Sequence, residues 1–223
     1  MLRESFHQEL QALEADAMRM GGLVERALTL AMDALLRRDG VQAQSALAVE
    51  PEINELHRMI RIRSITTMTL QGPMARDLRA LATAQLVGAE LERMGDHAAG
   101  IAKRVAHIRA TMTPSLADDP HIFPIFQRMG ARVSEQTHAV MDTYAAGDGA
   151  QARVIAAQDA DVNAAYHTIV GALVIAMGRD TAAIPAATDL LFVAQALERI
   201  GDRVTNISED VIFLATGEIE ELN

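Results

Sequence analysis

Two strings decide the fold: LERMGDHAAGIA at residues 91–102 and LERIGDRVTNIS at residues 197–208, which match at an offset of 106 residues. Wound at about 100° per residue, the first places Leu91, Met94, Ala98, Ile101, Val105 and Ile108 on one seam spaced by three and four. The second does the same with Leu197, Ile200, Val204, Ile207, Val211 and Leu214. Beside each seam runs a strip of small residues: Gly88, Gly95, Ala99 and Ala102, mirrored by Ala194, Gly201, Thr205 and Ser208. Such a strip predicts close approach by a neighbouring helix.

Outward from these strings the repetition continues. Met32-Asp33 and the Asp39-Gly40 break correspond, at an offset of 109, to Met141-Asp142 and Asp148-Gly149. At that offset Glu50-Pro-Glu-Ile-Asn54 matches Asp159-Ala-Asp-Val-Asn163. Helical patterns are predicted at 3–38, 41–70 and 74–108, then again at 122–146, 150–178 and 183–216, separated by Gly- and Pro-bearing breaks. The expected fold is all-α, a tandem duplication of a three-helix bundle with six long antiparallel helices. The expected divisions are a first repeat at 1–109, a linker at 110–121, a second repeat at 122–217 and a tail at 218–223.

Composition agrees with a helical reading. Half of the 223 residues are apolar, aromatics are only 3%, and Ala, Leu, Ile, Val and twelve Met supply the apolar set. There is no cysteine, so any metal must be held by oxygen or imidazole ligands, and the chain suits a reducing compartment. The first twenty residues lack a signal-peptide core, and the longest uncharged stretch, 162–178, is short for a bilayer span. The expected location is cytoplasmic.

The net charge of −10 lies wholly in the second half: residues 1–112 hold 14 basic and 14 acidic side chains, residues 113–223 hold 6 and 16. That balance speaks against nucleic acid as a ligand. The basic residues Arg58, Arg61, Arg63, Arg76 and Arg79 suggest a docking face for an acidic partner, against the plainer reading of ordinary helix-surface charge.

The carboxylates carry the candidate chemistry. Glu92 and Asp96 stack one turn apart on a face turned away from the seam, as do Glu198 and Asp202, and such pairs repel unless something compensates them. The second helices add oxygen-bearing pairs, Glu50 with Asn54 and Asp159 with Asn163. Where second and third helices face each other, these groups would converge as ligands for hard cations. The plainer reading is compensation by the adjacent Arg93 and Arg199.

The doubled ERxGD string, with GPMARDLRAL (72–81) and LERIGDRVTNISEDVIFLATG (197–217), resembles the PhoU family over nearly the whole chain. The resemblance implies metal bound at Glu92, Asp96, Glu198 and Asp202, with Asn206 one turn further along. Mg, Mn, Fe or Zn are the candidate ions. The first repeat has Gly100 at the equivalent position, so the second site is expected to be the tighter. The resemblance further implies a homodimer that represses the phosphate-starvation response and restrains phosphate uptake. Its implied partners are the ATPase subunit of the Pst phosphate ABC transporter and a PhoR-type sensor histidine kinase, and membrane association would arise only through them.

No phosphate loop, nucleophile elbow or HExxH is present, and no enzymatic activity is expected. The alternatives are a metal-storage bundle, a metal-dependent carboxylate enzyme, or a paralogue serving another transporter. The ExxH pairs Glu4/His7 and Glu135/His138 do not sit at equivalent repeat positions and are read as chance. His97, whose counterpart is Arg203, is read as a surface residue.

Overall fold

A computed structural model describes residues 2–222, with side chains from Phe6 onward. Among these residues the chain is helical throughout: α1 Leu2–Arg37, α2 Gly40–Leu47, α3 Glu50–Gln71, α4 Arg76–Thr111, α5 Pro114–Ala117, α6 Ile122–Ala146, α7 Gly149–Ala156, α8 Asp159–Arg179 and, after a 3-10 turn at Thr181–Ala183, α9 Ile184–Thr216.

The second helix of each repeat is broken, where the apolar pattern alone predicts it continuous. In the first repeat Pro51 stands in the opening turn of α3, where it lacks an N–H and its ring excludes the carbonyl four residues back. The second repeat has no proline there; Gln136 on α6 instead donates to the Gln158 carbonyl at 2.9 Å, holding the chain open between α7 and α8. The short helices start alike: Asp39 accepts from the backbone N–H of Val41 and Gln42, and Asp148 from those of Ala150 and Gln151.

The long helices form one body with a single core. Helix α1 packs on α4 and α6, α4 on α9 and α9 on α6, closing a central four-helix ring to which each repeat contributes two members. Helix α3 lies over α1 and α4, and α8 over α6 and α9. Two three-helix units are thus fused through their third helices into one continuous apolar cluster. The seam residues of α4 and α9 are buried as their spacing requires, with Leu214 partly so. Between the repeats, Leu116 of α5 is fully buried and Ser115 donates to Asp180 at 2.5 Å, so this connection is packed onto the second repeat. Helices α7 and α8 together are long and apolar enough, by composition, to cross a membrane; they are broken at Ala157-Gln158, and only 17% of the most apolar window is buried.

The small-residue strips admit the flanking helices. A Cβ on Gly95 would lie 2.9 Å from Ile53 Cδ1 of α3; one on Gly201 would lie 3.1 Å from Asp159 Oδ1 and 3.3 Å from Val162 Cγ1 of α8. Replacing Gly95 by valine should therefore destabilise the fold by about 2 kcal/mol through overpacking. Urea unfolding followed by circular dichroism measures this, and an unchanged midpoint would mean that α3 yields without cost.

Candidate functional site

The ERxGD helices bring their carboxylates to the sides of the molecule, beneath α3 and α8. In the first repeat Glu92 is half-buried and Asp96 exposed, while Glu50 pairs with Lys103 at 3.4 Å and Asn54 is exposed. In the second repeat Asp159, Glu198 and Asp202 gather more closely. Burial raises the Asp159 and Glu198 carboxyls above their ordinary values, and the neighbouring Asp202 charge adds to both shifts. Asn163 donates to Asp159 Oδ2 at 2.6 Å, while Asp159 Oδ1 is buried without a partner. Arg199 bonds Asp202 at 3.1 Å and lies 3.6 Å from Glu198.

The expected metal centre is overturned by this arrangement. Among the described residues no group of three or more His, Asp or Glu side chains converges as a metal ion requires, and the chain has no cysteine. Glu50, Asp159, Glu198 and Asp202 find protein partners instead. Lys103 takes Glu50, Arg199 takes Asp202 and lies beside Glu198, and Asn163 takes Asp159, so the plainer reading of arginine compensation holds in the second repeat. Asn206, expected as an extra ligand, donates to Glu90 Oε2 at 3.1 Å. The Mg, Mn, Fe or Zn ions expected at these positions, and the tighter second site, are therefore not supported by the residues present.

The most enclosed polar network lies elsewhere, between the repeats. Glu90 on α4, its side chain only 12% exposed, accepts from Arg93 at 2.9 Å, and from Arg203 and Asn206 of α9 at 3.1 Å each. Along the same seam Asp189 of α9 accepts from Arg104 at 3.0 Å and contacts His107 Nδ1, while Arg104 also stacks 4.3 Å over the Phe192 ring. His97 is half-buried rather than on the open surface, and burial followed by the Arg203 charge lowers its pKa.

Sequence reasoning passed over Glu90 and Asp189, although a signal was present. At the offset of 106, Glu90 corresponds to Ala196, Arg203 to His97 and Asn206 to Gly100. The positions where the copies disagree are those that face each other. The expected basic docking face is largely consumed internally: Arg58 pairs with Glu55, Arg63 with Glu9 and Asp16, and Arg79 packs against Gly217. Of the ExxH pairs, the Glu4 side chain lies outside the described residues. His138 contacts Glu25 and Asp142 rather than completing a ligand set with Glu135.

A duplicated all-helical body, its halves joined by paired ionic networks, defines a class of tandem helical-bundle proteins. The chain belongs to the PhoU family: the model of the PhoU domain matches it twice, at residues 17–105 and 126–211. It is 36% identical over 214 residues, 96% of this chain and 88% of the relative, to the phosphate-specific transport system accessory protein PhoU homolog of Zymomonas mobilis. The homolog of that name from Caulobacter vibrioides is 37% identical over 215 residues, covering 96% of this chain and 91% of its own. The crystal structure of PhoU from Pseudomonas aeruginosa superposes with a TM-score of 0.89 at 30% identity, covering 96% of this chain and all of that one. The phosphate transport system regulatory protein PhoU from Streptococcus pneumoniae gives 0.86 at 26% identity, covering 97% of this chain and 99% of that one.

Two outcomes follow for the inter-repeat network. Glu90→Ala leaves Arg203 and Asn206 without their acceptor and should cost about 3 kcal/mol in urea unfolding, with Glu90→Gln intermediate. Asp210, close to Glu90 and Glu209, has its pKa raised from 3.8 to about 7, first by burial and then by those two charges. The folded state thus holds a proton that the unfolded chain releases near its ordinary value, so this group's contribution to stability falls as pH rises from about 4 to about 7. Asp210→Asn should flatten that slope and stabilise the protein at pH 8; thermal unfolding across pH 4–8 measures it, and an unchanged slope would remove Asp210 as its source.

Proposed function

We propose that this chain, a regulator in phosphate homeostasis, acts as a negative regulator of the phosphate-starvation response. In this reading it works on the cytoplasmic side as an adaptor between the Pst transporter ATPase and a PhoR-type histidine kinase. The observation that carries the reading is a pair of separate exposed apolar surfaces, one on each repeat. At the tip of the α3–α4 hairpin Leu70 is 75% and Met74 80% exposed, with Leu78 beside them. On α8, Val174 and Ile175 are more than half exposed at the end of an uncharged helical stretch. Helices α3 and α8 lie on different pairs of central helices, so the two surfaces are distinct.

Exposed apolar clusters of this kind mark contact sites on soluble proteins. The hairpin tip adds a second sign: Ala75, without the freedom of glycine, stands at φ 49° and ψ −115°, a conformation that costs free energy and is retained most often at functional positions. An adaptor needs two faces that can be engaged together, and no catalytic group is required. The homodimer expected from the resemblance belongs to the same proposal.

Separate charge insertions test this. Leu70→Glu with Met74→Glu, and Val174→Glu with Ile175→Glu, should each weaken binding to one of the two partners at least tenfold and leave the other unaffected, as measured by surface plasmon resonance with the purified ATPase and the kinase cytoplasmic region. Either double variant should derepress a phosphate-responsive reporter. If the wild-type protein binds neither partner, or if both compete for one surface, the adaptor reading fails.

A further inference from the structure

The offset of 106 residues carries the Glu90 network onto a second place along the α4–α9 seam. There Ala196 stands for Glu90, Gly100 for Asn206, His97 for Arg203 and Arg199 for Arg93. In the first place a carboxylate fills the space between the helices and accepts from Arg93, Arg203 and Asn206. In the second, alanine and glycine leave only a methyl group and a hydrogen where the acid and the amide would stand.

Ala196, Gly100, His97 and Arg199 all line one cleft of about 330 Å³ between α4 and α9. A Cβ added to Gly100 would meet no atom within 4 Å, so the space beside it is open. The cleft is at the small end of the range for small-molecule sites.

Donors remain where the acceptor is missing. Arg199 gives Nη1 to Asp202 at 3.1 Å and keeps further N–H groups, as does Arg104 at the cleft's edge beyond its Nη1 bond to Asp189 at 3.0 Å. The half-buried His97 imidazole hydrogen-bonds to no described residue. Arg104 stacks 4.3 Å over the Phe192 ring, which is 45% exposed and gives the cleft an apolar wall. Asp96 brings a carboxylate to the same cleft, against the two guanidiniums. It does not exclude an anion, because Glu90 is held in the first place with Asp202 at the position equivalent to Asp96.

We propose that this cleft binds a carboxylate from outside the chain, seated as the Glu90 side chain is seated in the first place, with Arg199 and His97 as its donors and its carbon skeleton against Phe192. The same chemistry reaches the cleft as a free small carboxylic acid or as a glutamate side chain of a docked protein. The site is separate from both exposed apolar surfaces, and its test needs neither transporter nor kinase.

Binding carries a proton signature. Burial first, then the Arg203 and Arg199 charges, hold the His97 pKa below its ordinary value against the opposing charges of Asp96 and Asp202, so the free imidazole is neutral at pH 7. A carboxylate beside it raises that pKa, and the complex takes up a proton. Affinity should therefore grow as pH falls from about 7.5 to about 5.5.

Calorimetry on the full-length protein should show saturable binding of 3-phenylpropionate and of N-acetyl-glutamate α-amide. Arg199→Gln should weaken it about tenfold, through loss of a charge-assisted hydrogen bond, and His97→Gln should remove its pH dependence. Ala196→Glu, which supplies the carboxylate from within, should abolish binding. Gly100→Leu, built into open space with the fold checked by circular dichroism, should block the cleft and keeps the test decisive if Ala196→Glu does not fold. Tighter binding of the glutamate amide assigns the site to an acidic side chain; the reverse order assigns it to a free acid. No saturable heat up to about 10 mM, binding indifferent to Gly100→Leu and Arg199→Gln, or tighter binding of inorganic phosphate would overturn the proposal.

Discussion

The packing of α4 against α9 is the constraint on which the molecule depends. The two three-helix units share one core, because each lends two helices to a ring that the other completes. The buried Glu90 carboxylate at that seam is tolerable because three donors surround it, two of them from the other repeat. Asp189, held by Arg104 and His107, makes a second inter-repeat lock of opposite sense, with the acid on α9 and the bases on α4. The two locks fix the lateral register of the repeats, while the apolar seam between them supplies the bulk of the burial.

With the third helices fixed, the glycine strips decide where α3 and α8 lie. Gly95 and Gly201 bring these helices close to the central ring, which in turn positions the carboxylates of Glu50 and Asp159. In the second repeat this puts Asp159 near Asp202, where burial and the Asp202 charge raise its carboxyl above the ordinary value, and Asn163 and Arg199 offset part of the mutual charge. Close packing thus gathers the acidic groups of the second repeat, with Asn163 and Arg199 as their counter-groups.

Much of this was legible in the sequence. The seam from Leu91 to Ile108 is buried as its spacing requires, and the glycine strip does admit a neighbouring helix, because helical periodicity and side-chain size act locally. The breaks before Glu50 and Asp159 were less readable: one depends on Pro51, but the other rests on a hydrogen bond from Gln136, far away in sequence. The metal reading failed for a related reason. Spacing shows that Glu198 and Asp202 share a face, but not that Arg199 folds back over them or that Asn206 turns towards α4. A wheel gives the direction of a side chain and leaves its partner open.

The unequal copies have a consequence for how the halves pair. A pair of identical second repeats would set Arg203 opposite Ala196, and a pair of identical first repeats would set Glu90 opposite His97. The first arrangement would enclose the Arg203 guanidinium without its acceptor, and the second would leave Glu90 to Arg93 and a histidine. With the acid on one copy and the guanidinium on the other, each half is better matched to its counterpart than to a second copy of itself.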